Sequence, residues 1–111
     1  MPNPSEESMR YGEIAVDVLT KSLGDRLFSI TMFGSRARGD DTEESDIDLL
    51  ILADLSGMSS LQVIKAVRMK LDAIDISKDL LTITPQEFKS PRFVLRRTIE
   101  KEGVVLYERE H

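Results

Sequence analysis

A chain of 111 residues can bury one hydrophobic core but is too short for two, so a single domain over residues 1–111 is expected. With 41% apolar and 32% charged residues it has the balance of a soluble protein, and with no cysteine and only the terminal His111, chemistry must rest on carboxylates, hydroxyls, Lys and Arg. A net charge of -5 has the wrong sign for a general nucleic-acid footprint, so direct nucleic-acid binding is not expected.

Residues 1–4 read as a loose, disordered tail, after which Ser5 caps a helix expected to run to Leu23. Glu6 and Glu7 suit its positive end, Tyr11, Ile14, Ala15 and Val18 share one face, and Gly24 stops it. Residues 26–33 are aromatic and β-branched and predict a strand ending at Gly34. From Ser35 to Ser45 the chain lacks apolar periodicity and reads as a turn with at most one short helix. A second strand is expected from Asp46 to Ala53.

Leu61, Ile64, Val67, Leu71 and Ile74 recur at steps of three and four and predict an amphipathic helix opening at Ser59 or Ser60. A third strand spans Asp79 to Thr84, Pro85 begins a short helix through Phe88, and Pro91 opens a last helix to about Glu102. Val104 to Tyr107 is a short strand or edge extension. This order implies an α/β (α+β) fold: a small mixed β-sheet of three to four strands covered by helices, with strands one and two antiparallel and strands two and three parallel. No apolar run approaches the roughly 20 residues of a membrane span and no signal region opens the chain, so a cytoplasmic location and no membrane partner are expected.

Gly34 and Ser35 stand where a strand ends and a turn begins, a place where unpaired backbone N–H groups can face a phosphate. Glycine allows close approach, the Ser35 hydroxyl adds a donor, and Arg36 and Arg38 are candidates for charge-assisted contacts to a polyphosphate. Ten residues separate Ser35 from Asp46, and Asp48 follows two positions later. Alternate residues of a strand project to one side, about 7 Å apart along the backbone, so these two carboxylates can converge on one ion. Two ionised carboxylates this close repel unless a cation sits with them, and Mg²⁺ favours such oxygen ligands while sharing substrate phosphates. Asp79, at the mouth of the third strand, is the candidate third ligand; Asp75 competes with it. Three carboxylates can hold two metals for in-line nucleotidyl displacement.

Together, Gly34-Ser35-Arg36-Ala37-Arg38-Gly39-Asp40 and Ser45-Asp46-Ile47-Asp48-Leu49 resemble the nucleotidyltransferase superfamily typified by the DNA polymerase β palm, and most of all its minimal nucleotidyltransferases. The stretch from Asp79 through Thr84-Pro85-Gln86-Glu87-Phe88, and the run Ile99 to Tyr107, also resemble the family, so the likeness covers about residues 10–108. It implies that Gly34 and Ser35 hold the β- and γ-phosphates of ATP. Asp46, Asp48 and Asp79 would then be the catalytic carboxylates holding two Mg²⁺ ions, with AMP passing to a hydroxyl. The chain ends four residues after Tyr107, so a partner is expected to supply the acceptor. Relatives of this size resemble antitoxins paired with a small helical HEPN-domain ribonuclease toxin that is inactivated on its tyrosine. Two other readings stay open: a non-enzymatic nucleotide-binding module that neutralises a partner by occlusion, and a nucleotidyltransferase for small molecules such as aminoglycosides. The basic stretch Arg92, Arg96, Arg97 and Lys101 is either a dock for an acidic partner or RNA, or a solvated helix face.

Overall fold

The computed structural model of the chain describes residues 2–110. Helix α1 (Glu6–Leu23) begins where the Ser5 hydroxyl accepts from the Ser8 amide, and ends at Gly24. Strand β1 (Leu27–Phe33), the one-turn helix α2 (Ser35–Arg38) and strand β2 (Ile47–Ala53) follow. Helix α3 (Ser60–Lys70) leads into strand β3 (Lys78–Ile83), then helices α4 (Pro85–Lys89) and α5 (Arg96–Glu102) and strand β4 (Val104–Glu108). The strands form one sheet in the order β3-β2-β1-β4. As expected, β1 and β2 are antiparallel and β2 and β3 are parallel, joined by the α3 crossover. Strand β4 is a full edge strand, antiparallel to β1.

The two faces of the sheet are unequal, and β2 shows why. Ile47, Leu49, Ile51 and Ala53 are wholly buried, the first three in the larger core with Ala15 and Leu19 of α1 and Val63 and Val67 of α3. The alternate residues Leu50 and Leu52 belong to a smaller cluster with Ile83, Phe88 of α4, Phe93 and Ile99 of α5. Asp48 shares that second face. The main core therefore holds the sheet from behind, while the lightly covered front carries the carboxylate.

In the segment read as a tail, the Asn3 amide donates to the Ala37 carbonyl at 3.1 Å, and a β-carbon on Gly39 would strike the Asn3 carbonyl; Met1 lies outside the described residues. Three expectations need correction. From α3 into the turn that follows it, the buried stripe is Val63, Val67 and Leu71, four residues apart, whereas Leu61 is 59% exposed; 200° of helical turn separates Leu61 from Val63. Strand β3 ends at Ile83, because Thr84 leaves it to cap α4 in a reciprocal hydrogen-bonded box with Glu87. The last helix opens at Arg96, five residues beyond Pro91. Ser90 is extended ahead of that proline, and Phe93 turns in to meet Phe88, ring centroids 5.5 Å apart.

Candidate active site

The loop after β1 is shaped by Gly34, whose φ of 77° lies in the region that other residues avoid. A β-carbon there would overlap the Asp48 carboxylate oxygen Oδ2, so the loop and the acidic strand touch through a missing side chain. The Gly34 carbonyl accepts from the Ala37 and Arg38 amides, each at 3.1 Å, which closes the turn of α2. The amides of Ser35 and Arg36, at the first turn, have no carbonyl four residues back inside the helix. The Ser35 hydroxyl makes no hydrogen bond with the described residues.

Register sets the acids. Asp48 lies opposite Asp79 across the parallel β2–β3 pair and opposite Phe33 across β1–β2. Neighbouring strands run about 4.8 Å apart and register partners project to the same face, so Asp48 and Asp79 stand side by side. Asp46 immediately precedes β2, one residue outside the expected strand, where the Ile47 amide donates to the Ser77 carbonyl at 2.9 Å. Asp75 lies on an exposed loop before β3 and has no β2 partner, so register favours Asp79 as the third acid. The Asp48 carboxyl is pushed up to about 6, chiefly by burial and then by the charges of Asp79 and Asp46.

The two arginines, equivalent in the sequence, go to different places. The Arg36 side chain is 0% exposed. Its Nε donates to the Ser45 carbonyl and its Nη1 to the Ser8 hydroxyl, both at 3.0 Å, with Glu7 at 3.4 Å and the Tyr11 ring 5.6 Å away. The guanidinium expected to contact phosphate is thus held inside the protein. Arg38 stays half-exposed, its Nε 3.1 Å from Asp40 and its Nη1 3.0 Å from Glu102 at the end of α5. Its pKa is raised, first by the hydrogen bond to Asp40 and next by that to Glu102, and its charge in turn favours ionised Asp48. Glu102 is a site neighbour that sequence reasoning missed. A signal existed, since an acid in the last turn of a helix opposes the helix dipole unless something else holds it.

The polymerase beta nucleotidyltransferase family matches residues 20–111, which include both motifs and all four strands. The chain belongs to that family. A candidate protein adenylyltransferase of Methanocaldococcus jannaschii is 34% identical over 96 residues, covering 83% of this chain and 90% of the relative. Among solved structures, a toxin–antitoxin with AMP-PNP superposes with a TM-score of 0.67 at 22% identity, covering 89% of this chain and 74% of that one. A candidate nucleotidyltransferase of Sulfolobus solfataricus gives 0.56 at 26% identity, covering 94% and 86%.

Nucleotidyltransferases of this kind use a nucleoside triphosphate and a divalent metal. The residues present fit such an ion: the donors are all oxygen, and a cation would offset the burial and the repulsion that together raise Asp48. Among the described residues, however, no group of three acids is gathered closely enough to hold one ion as it stands. A nucleotidyltransferase whose Gly34 loop touches the strand that carries Asp48 should not tolerate a methyl group between them. Gly34→Ala is expected to displace the Asp48 carboxylate and lower nucleotidyl transfer about 100-fold, with the circular dichroism of a folded protein. Wild-type turnover in that variant would show that the contact is incidental.

Proposed function

We propose that this chain transfers AMP from ATP, with Mg²⁺, to a tyrosine hydroxyl of a small helical HEPN-domain partner in the cytoplasm, and so acts as the antitoxin of a two-protein module. The observation that carries the reading is the placement of Asp48 beside Asp79, against the loop of Gly34 and Ser35. A protein acceptor is supported by the relative described as a protein adenylyltransferase, and a toxin partner by the likeness to a toxin–antitoxin structure. The HEPN partner and its tyrosine rest on the resemblance of the motifs.

In this reading the amides of Ser35 and Arg36 and the Ser35 hydroxyl hold the β- and γ-phosphates, and Arg38 offers its exposed edge to their charge. Asp46, Asp48 and Asp79 would hold Mg²⁺, which when bound neutralises the triphosphate and the departing pyrophosphate. Asp79, exposed where Asp48 is half-buried, is open to take the proton of the acceptor hydroxyl. The acceptor oxygen bonds to the α-phosphorus as the α–β bridging bond breaks and pyrophosphate leaves. No helix among the described residues is long and apolar enough to cross a membrane.

The test incubates the chain with ATP, Mg²⁺ and the protein encoded beside it, and reads intact mass. The partner is expected to gain whole AMP units, and Asp46→Asn should abolish the gain. Tight binding with no mass change would replace the reading with occlusion. Turnover on an aminoglycoside with no protein acceptor would replace it with small-molecule transfer.

A further inference from the structure

The segment from Pro85 to Glu102 stands apart from the rest of the chain in charge. It holds Lys89, Arg92, Arg96, Arg97 and Lys101 against Glu87, Glu100 and Glu102, on a molecule whose totals are 15 basic and 20 acidic residues. Among the described residues, Lys89, Arg92, Arg97 and Lys101 form no ion pair, while Arg96 meets Glu100 at 3.4 Å and lies over the Phe88 ring. Between these cations the tip of the segment presents Val94, 83% exposed, and Leu95, 40% exposed. Two aliphatic side chains within a basic rim have the make-up of an interface centre, not of a solvated helix face.

Helix α5 joins the tip to the candidate active site. Ile99, on the helix that follows, rests in the same cluster as Leu50, two residues along β2 from Asp48 and on the same face. Glu102, at the end of that helix, holds Arg38 beside the phosphate loop at 3.0 Å. The seven residues of that helix span about 10 Å, a distance that a macromolecule seated on the tip can cross to reach the reacting groups. Its class follows from the side chains available. Single-stranded nucleic acid needs exposed aromatic faces for its bases, and the local aromatics, Phe88 and Phe93, are half-buried against each other. Aliphatic anchors ringed by arginine suit a protein with an acidic surface.

We propose that the 90–97 tip is the docking surface for the acceptor protein, which meets it with an acidic face; this rests on the protein-acceptor reading above. The probe is a fluorescent Glu/Ala/Tyr copolymer, followed by anisotropy at low salt, with a Lys/Ala/Tyr copolymer and single-stranded RNA of similar length as comparators. The acidic copolymer is expected to bind best and to weaken as salt screens the contact. Arg92→Glu with Arg97→Glu should weaken it about tenfold. Lys65→Glu with Arg68→Glu, exposed on α3 behind the sheet, makes the same change in net charge and should leave binding within about twofold.

Equal loss in the two double variants would reduce the effect to net charge and overturn the proposal. So would RNA binding as tight as the copolymer's, or no binding at all. Melting with and without Mg²⁺-ATP on the same preparations keeps the two readings apart. No shift in the wild type would count against the nucleotidyltransferase site alone, whereas a preserved shift in the Arg92/Arg97 variant shows an intact site behind an altered dock.

Discussion

Asp48→Asn is expected to melt higher than the wild type at pH 8 while losing nucleotidyl transfer by about 1000-fold, a cost of about 4 kcal/mol in the transition state. Both effects have one origin. Asp48 accepts no hydrogen bond from the described residues, sits half-buried beside Asp79, and is raised from 3.8 to about 6 by burial, Asp79 and Asp46, in that order. A carboxyl whose folded value is raised contributes stability that is fully present below pH 3.8 and is lost as pH climbs through about 6. Above that the folded protein carries an uncompensated charge. After allowance for solvent screening the penalty is on the order of 1 kcal/mol, or about 5 °C in melting temperature. Asparagine removes it, so the gain should be full at pH 8 and mostly gone at pH 4, where folded Asp48 is protonated and the unfolded carboxyl, near 3.8, is about half so. Mg²⁺ should narrow the gap by stabilising the wild type. A variant that melts lower at pH 8, or whose advantage is unchanged at pH 4, would mean that Asp48 is not under electrostatic load.

Several features that place this site were readable from local chemistry. Gly34 ends an aromatic strand, Asp46 and Asp48 open an apolar one, and the long helix between the second and third strands implies the parallel pairing that sets Asp79 beside Asp48. What escaped depends on contacts distant in sequence. Arg36 and Arg38 are two residues apart in one loop, and only the approach of Glu7 and Ser8, 29 and 28 residues earlier, sends the first inside. Glu102 joins the site through a pairing across 64 residues. Leu61 and Val63 each begin a plausible apolar stripe in α3, sharing Val67 and Leu71, and the packing against α1 chooses between them. The late start of α5 is not set by its proline: Ser90 is extended ahead of Pro91 as Thr84 is ahead of Pro85, but residues 91–95 run through turns that bring Phe93 against Phe88.

Arg36→Met is expected to lower stability by about 3 kcal/mol, the largest loss from any single change in the loop. The wholly buried guanidinium joins three parts of the chain: Ser8 and Glu7 of α1, Asp41 at 3.6 Å in the acidic loop, and the Ser45 carbonyl one residue before Asp46. Methionine can occupy the aliphatic volume but supplies no donor. The Ser8 hydroxyl would then lose its guanidinium donor, and Asp41, 13% exposed, its positive partner. One nitrogen, Nη2, has no hydrogen-bond partner, which keeps the net contribution near the lower end for a broken buried pair. Arg36→Lys should recover little, since one ammonium cannot span contacts that the planar group makes from separate nitrogens. Arg38→Met is the control: that arginine is half-exposed in surface ion pairs, so its loss should cost under about 1 kcal/mol and fall mainly on Mg²⁺-ATP affinity. Thermal melts of the three variants, repeated in 1 M salt, separate the cases. The deficit of Arg36→Met should persist in salt while that of Arg38→Met fades, because screening reaches only the exposed pair. If Arg36→Met melts within about 3 °C of the wild type, the buried arginine does not hold the loop. Activity should follow stability in this variant, because the Ser45 carbonyl bond fixes the approach to Asp46, the acid proposed to act with Asp48 and Asp79.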